Sequence, residues 1–241
     1  MRGLMKQKKG QFIIIAVLLI AIMMISIGAL LYTAVTYYKH EPWEEYLTLI
    51  GNIELSSRDL VELSLSNYTN TLNTNVLKTN LEQWQSDIKK VYPGLGVILM
   101  YSLPDQETVV AYGQNINYTL GLSRHWYDKT SFSAANATFN LNITSVGLTG
   151  YKFMVTSFLK LTIINVAGNE INVTVTEEDG MPVTNLKKDN FQVDGVNITD
   201  VARRWDPNYV LMYTITCETS PANATVRVWD QRGIQVIAKK T

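Results

Sequence analysis

The chain of 241 residues has one cysteine, Cys217, and two histidines, His40 and His125. A single thiol excludes an intrachain disulfide, so a domain outside the cytoplasm must draw its stability from its core, its partners or assembly. Cys217 closes the apolar run that starts at Val210 and reads as a small buried hydrophobe, with an intermolecular bridge as the alternative. Two isolated histidines and one cysteine give no zinc-ligand spacing. Gly-x-Ser-x-Gly, His-Glu-x-x-His and phosphate-binding glycine loops are all missing. The expectation is a non-enzyme with no catalytic residue, no metal site and no cofactor. Lys plus Arg and Asp plus Glu number 21 each, a balance that leaves no electrostatic footprint for nucleic acid.

The longest absence is of charge. Between Lys9 and Lys39 no side chain is charged, and Phe12 to Val35 is an almost unbroken apolar run. As a helix this run spans about 36 Å at about 1.5 Å per residue, enough to cross a hydrocarbon core of about 30 Å with some tilt. A lone span in lipid has to be helical, because lipid offers no partner for unpaired backbone groups. A cleavable signal peptide competes with this reading. Its apolar region normally stops by about 15 residues, before a small-x-small site; here the best such site, Ser26-Ile27-Gly28, lies inside the run.

The flanks give the span a direction. Arg2, Lys6, Lys8 and Lys9 precede it, whereas Glu41, Glu44 and Glu45 follow it beyond Lys39. The excess of Lys and Arg before the span places the N-terminus in the cytoplasm and the rest outside. Tyr32, Tyr37, Tyr38 and Trp43 fall where an aromatic belt meets the outer headgroups. The expected organisation is a cytoplasmic basic tail over 1–11 and a transmembrane helix over 12–35 in contact with the bilayer. A helical stalk over 36–92, a β-rich region over 93–164 and a β-sandwich over 165–241 follow. The fold class is α+β, with a mostly antiparallel ectodomain.

The stalk rests on periodicity. Tyr46, Ile50, Ile53, Leu60 or Val61, Leu65, Tyr68 and Leu72 recur at helical spacing, as do Leu81, Trp84, Ile88 and Val91. Thr69 to Asn75 is poor helix material and predicts a break, and Pro93-Gly94 ends the segment. The apolar stripe needs cover from the β region or from a neighbouring subunit. Beyond Pro93, strands are expected over 95–101, 107–112, 137–144, 151–166, 171–176, 192–196, 208–216, 224–229 and 234–238, separated by Gly, Pro and Asp turns. The run 151–165 is long for one strand, so it should bend or pass between units, with a soft boundary near 161–168.

Seven Asn-x-Thr sequons occur, at Asn67, Asn117, Asn136, Asn142, Asn172, Asn197 and Asn223, all beyond the apolar run. In Phe139-Asn-Leu-Asn142-Ile-Thr and Ile171-Asn172-Val-Thr-Val-Thr the asparagine falls on the polar face of an alternating strand, the face a glycan needs. A Thr/Asn-rich β surface that makes sequons by accident is the alternative. Two further clusters have a bland and a sharp reading. Glu177-Glu178-Asp179 with Asp189, Asp194 and Asp200 is a solvated turn or a Ca²⁺ site. Arg124, Trp126 and Tyr127 are ordinary loop packing or a contact surface for a protein or glycan.

The stretch from Val173 through Glu177-Glu-Asp-Gly-Met-Pro-Val183 to Asp189-Asn-Phe-Gln-Val193 resembles the opening of bacterial and archaeal immunoglobulin-like surface modules. There a first strand, an Asp-Gly turn, Pro-Val and an Asp-x-Phe-x-Val strand follow in that order. The resemblance runs from near Leu161 to the C-terminus and implies an immunoglobulin-like sandwich, with hardly any constraint on function. At the other end, Lys8-Lys9-Gly10-Gln11-Phe12 resembles the prepilin-type (class III) signal of archaeal and bacterial type IV filament proteins. That resemblance implies cleavage between Gly10 and Gln11. It departs from the pattern at the fifth position after the cut, where filament subunits commonly carry glutamate and this chain has Ile15. Together these features resemble an archaeal single-pass surface protein. Three roles follow as expectations: a structural or adhesive surface protein with protein or glycan partners, a self-assembling pilin-like subunit, or an extracytoplasmic component of a larger membrane complex.

Overall fold

A computed structural model describes the backbone of residues 4–39, 43–206, 209–221 and 224–240, and their side chains except at 4–13, 34–39 and 43–45. The chain divides into two compact units, Met1–Ile53 and Glu54–Thr241. The first contains helix α1 (Leu4–Lys39). Within it Ile14–Thr33 is the one helical stretch among the described residues that is long and apolar enough to cross a membrane. At about 1.5 Å per residue those 20 residues cover about 30 Å. Their side chains are almost all exposed. The Thr33 hydroxyl donates back to the Ala29 carbonyl at 2.7 Å, which satisfies it inside an apolar sequence.

Helix α2 (Trp43–Thr71) runs three residues into the Asn/Thr run that begins at Thr69, and α3 (Val76–Val91) starts after it. The break has a local cause. Leu72 takes a left-handed φ of 63°, its N–H closes on the Tyr68 carbonyl at 2.7 Å, and the Asn73 side chain accepts from the Asn75 N–H at 3.0 Å. From Glu54 on, these helices are part of the β unit. Ser57, Val61, Ser64, Leu65 and Tyr68 of α2 are buried at helical spacing, as are Leu77, Leu81 and Ile88 of α3. Two polar contacts join the helices: Asn80 Nδ2 donates to Ser64 Oγ at 2.9 Å and Trp84 Nε1 to Ser57 Oγ at 3.3 Å. The stripe expected on a stalk is thus covered, from residue 54 onward, by the chain's own β region.

Twelve strands follow among the described residues: β1 (Val97–Ser102), β2 (Glu107–Ala111), β3 (Gln114–Tyr118), β4 (Leu122–His125), β5 (Thr130–Ile143), β6 (Leu148–Ala167), β7 (Glu170–Thr176), β8 (Phe191–Val193), β9 (Ile198–Trp205), β10 (Leu211–Cys217), β11 (Thr225–Trp229) and β12 (Gln235–Lys239). All pairings are antiparallel. The large sheet has the order β1-β5-β6-β7-β10-β9, with β4 beside β1 on the same edge of β5. A three-stranded sheet has the order β12-β11-β8, and β2-β3 is a separate hairpin.

Strand alternation decides what each sheet face meets. The odd residues of β5 from Ser131 to Ile143 are all buried, as are Leu159 and Leu161 of β6, Val173 of β7, and Tyr213 and Ile215 of β10 on the same face. Helix α3 covers this face at β1, and β12 covers it at β5 and β6. Phe191 of β8 meets Tyr213 at 5.4 Å between ring centroids. On the opposite face the β2-β3 hairpin buries Phe132, Ala134 and Phe158 beneath Ile116 and Tyr118. Elsewhere that face carries the Thr and Asn residues of β5 and β7, half-buried.

Three strands lie outside the expected set, and β5 begins at Thr130, well before the expected 137. β3, with its Gln and two Asn, and the four-residue β4 carry too little apolar content to read as strands. β9 is an edge strand whose Asp200, Arg203 and Arg204 hide its alternation while guarding the edge. The soft boundary near 161–168 falls inside β6, which is hydrogen-bonded to β5 on one side and β7 on the other.

Candidate functional site

The sequon asparagines separate by environment. Asn67 on α2, Asn117 on β3 and Asn197 before β9 are exposed; Asn136 and Asn142 on β5 and Asn172 on β7 are half-buried. The three sheet asparagines share the face opposite the core, as strand parity required. Their amides are not equally open. Asn172 Nδ2 donates to Asn165 Oδ1 at 2.7 Å and its Oδ1 accepts from Thr214 Oγ1 at 2.7 Å. Asn142 Oδ1 accepts from the Gly150 N–H at 2.6 Å, and Asn136 Oδ1 is buried without a partner. Beside Asn136 the chain needs a glycine: Gly121 has φ +77°, and a Cβ there would sit 2.6 Å from the Asn136 carbonyl oxygen. Asn223 lies outside the described residues. Gly10 and Gln11 lie in the first part of α1, with their side chains outside the description.

The acidic turn belongs to a guanidinium network. Arg232, in the turn between β11 and β12, donates Nε to Asp230 Oδ2 at 2.7 Å and Nη1 to Glu178 Oε1 at 2.8 Å. Its Nη2 donates to the Phe158 carbonyl at 3.2 Å, and the same Glu178 oxygen accepts from the Phe158 N–H at 2.6 Å. Glu62 of α2 and Glu177 stand 3.8 and 3.9 Å away. Burial opposes the Arg232 charge, but Asp230 and Glu178 outweigh it and hold the guanidinium firmly protonated. Burial is also the main reason the Glu62 and Glu177 carboxyls rise above their ordinary range, against the pull of Arg232. Glu178 is therefore committed to Arg232, and Asp194 faces Arg227 at 3.9 Å. No cluster of three or more metal-ligating side chains exists among the described residues. The sequence showed Arg232-Gly233 only as a turn, because an ion network across strands leaves no local pattern.

Arg124, Trp126 and Tyr127 form a short surface segment around the end of β4. The Arg124 guanidinium lies 5.0 Å from the Trp126 ring centre, and the indole N–H donates to Ser133 Oγ at 3.0 Å. Tyr127 is exposed with φ 69°, and His125 pairs with Asp128 at 2.7 Å. Two of the three side chains are thus engaged locally, and Tyr127 projects. Cys217 is buried, and burial pushes its thiol up. An apolar groove of about 420 Å³ runs between α2 and α3, lined by Leu60, Leu63 and Trp84.

These features make an α+β protein with an N-terminal apolar helix and a mostly antiparallel β domain. No family model matches the chain, and no curated protein or solved structure matches it either.

Proposed function

We propose that this chain is a single-pass membrane protein whose β domain stands outside the cytoplasm in a structural or adhesive role, through protein or glycan contacts. The observation that carries the reading is α1, in which Ile14 to Thr33 expose almost every side chain and carry no charge. Such a surface is compatible with lipid and costly in water. The basic residues before the span and the acids after it support the orientation. The sequons, all beyond the span, support an extracytoplasmic location. Protease added to sealed cells should digest the region after Lys39; full protection would overturn the orientation.

An immunoglobulin-like character of the C-terminal part finds support in strand order. β6-β7-β10-β9 stand in the order A-B-E-D of a constant-type immunoglobulin sandwich, and β8-β11-β12 in the order C-F-G. On this reading β6 supplies strand A, so the module begins near residue 148, earlier than the sequence pattern placed it. The pattern departs where β5 extends the sheet beyond strand A. Such a fold limits function little.

A filament subunit is the second reading, favoured by Lys8-Lys9-Gly10-Gln11-Phe12 at the head of the apolar run. α1 is continuous through that junction. A mature N-terminus at Gln11, found by sequencing protein from native membranes, would support it; an intact Met1 would remove it.

A further inference from the structure

We infer that Asn67, Asn117 and Asn197 are the glycan-bearing positions among the six described sequons, and that Asn136, Asn142 and Asn172 stay unmodified. The inference rests on the extracytoplasmic reading and divides the sequons by the folded surface. In the transfer, the asparagine Nδ2 attacks the anomeric carbon of a lipid-diphosphate-linked oligosaccharide. A C–N bond forms, the C–O bond to the diphosphate breaks, the diphosphate leaves with the electron pair, and the amide loses one proton. The folded protein must then hold a sugar ring directly on Nδ2, with the second amide hydrogen still in place.

The exposed three meet that requirement. Asn197 precedes β9 on an open groove with Gln192 and Glu218, and its only strand-like tie is a 3.0 Å bond from the Glu218 N–H to its carbonyl. Its Nδ2 donates to Glu218 Oε2 at 3.1 Å, and that partner is an exposed side chain rather than a neighbouring strand of the large sheet's interior. Asn117 is exposed on β3, which pairs only with β2, and its Oδ1 accepts from Thr108 Oγ1 at 2.5 Å. Asn67 is exposed one turn before the end of α2, its Oδ1 accepting from Thr71 Oγ1 at 3.2 Å.

The sheet sequons fail it. Asn172 sits in β7 between β6 and β10, and both ends of its amide are engaged at 2.7 Å by neighbouring strands. Asn136 is paired to Thr156 of β6, and its N–H is bonded to the Gly121 carbonyl at 2.8 Å. Its amide oxygen is fully enclosed. Asn142 is paired with Ile98 of β1 and bound to Gly150 at 2.6 Å. At Asn172 a sugar ring must displace the Nδ2 bond to Asn165, and at Asn136 and Asn142 it must enter a half-buried position on the sheet face.

Site-resolved mass spectrometry of the full chain from native membranes tests the assignment. Carbohydrate at Asn67, Asn117 and Asn197, with Asn136, Asn142 and Asn172 bare, is the expected result. Asn197→Gln should remove one glycan mass and Asn172→Gln none. Carbohydrate on any sheet asparagine overturns the assignment while leaving the extracytoplasmic reading intact. Six bare asparagines also overturn it, and protease digestion of sealed cells then reports separately whether the β domain is outside. The wild-type measurement stands even if a variant fails to fold.

Discussion

Arg232 ties together four stretches of chain: the Glu62 turn of α2, Phe158 of β6, the Glu177–Glu178 turn and Asp230 beside β12. Asp230 is almost fully buried, so removing the guanidinium leaves a carboxylate without its counter-charge. Arg232→Met should cost about 3–5 kcal/mol, the range for breaking one partner of a buried ion pair, read as a lower denaturant midpoint in the detergent-solubilised chain. Glu62 should behave in the opposite way. Burial raises its folded-state carboxyl above the unfolded value. Its contribution is then fully present below the ordinary carboxylate range and is lost as pH rises through the raised value. Glu62→Gln should accordingly raise the melting temperature at pH 7 relative to the parent, with the gain fading towards pH 4. A gain that grows on acidification would contradict this sign.

At the scale of elements, the α2–α3 break is the place where propensity and structure agree most closely. Leu72 holds a left-handed φ that glycine adopts without penalty. Leu72→Gly should stabilise the domain by about 1 kcal/mol, visible as a small upward shift in thermal unfolding; a loss would mean that the half-exposed Leu72 side chain packs better than its backbone suggests. The break was legible because Asn73 and Asn75 compete with helix wherever they stand. The buried faces of β5, β7 and β10 were legible too, since Phe139, Leu141 and Ile143 alternate with asparagines, and Ile171, Val173 and Val175 with Asn and Thr. β9 was not. Its charges guard an edge and erase the period-two signal, and only pairing with β10 reveals it as a strand. The Arg232 network was equally hidden, because its members are separated by up to 170 positions and meet only after the sheets form.

Across the whole molecule, two properties of the sequence carry the account: an uncharged apolar run and a distal region rich in β pattern. The first becomes a single long helix with an exposed apolar surface, and the second a compact unit from Glu54 to Thr241. What the sequence left open was the fate of the helical stretch between them, since periodicity identifies an apolar stripe without saying what covers it. From Glu54 on, the covering surface is the chain's own sheet, seen in the bond from Gln85 Nε2 to the Leu99 carbonyl at 2.7 Å and from Tyr151 Oη to Glu54 at 2.6 Å.

The central claim, a membrane anchor with its β domain outside, is tested most directly by cysteine labelling. Native Cys217 is buried with its thiol pushed up, which makes it a poor competitor for a maleimide. Thr74→Cys places a reactive thiol in the exposed break between α2 and α3. In sealed cells a membrane-impermeant maleimide should label this variant at once and leave the parent unlabelled. Labelling of Thr74→Cys only after the membrane is opened would contradict the account.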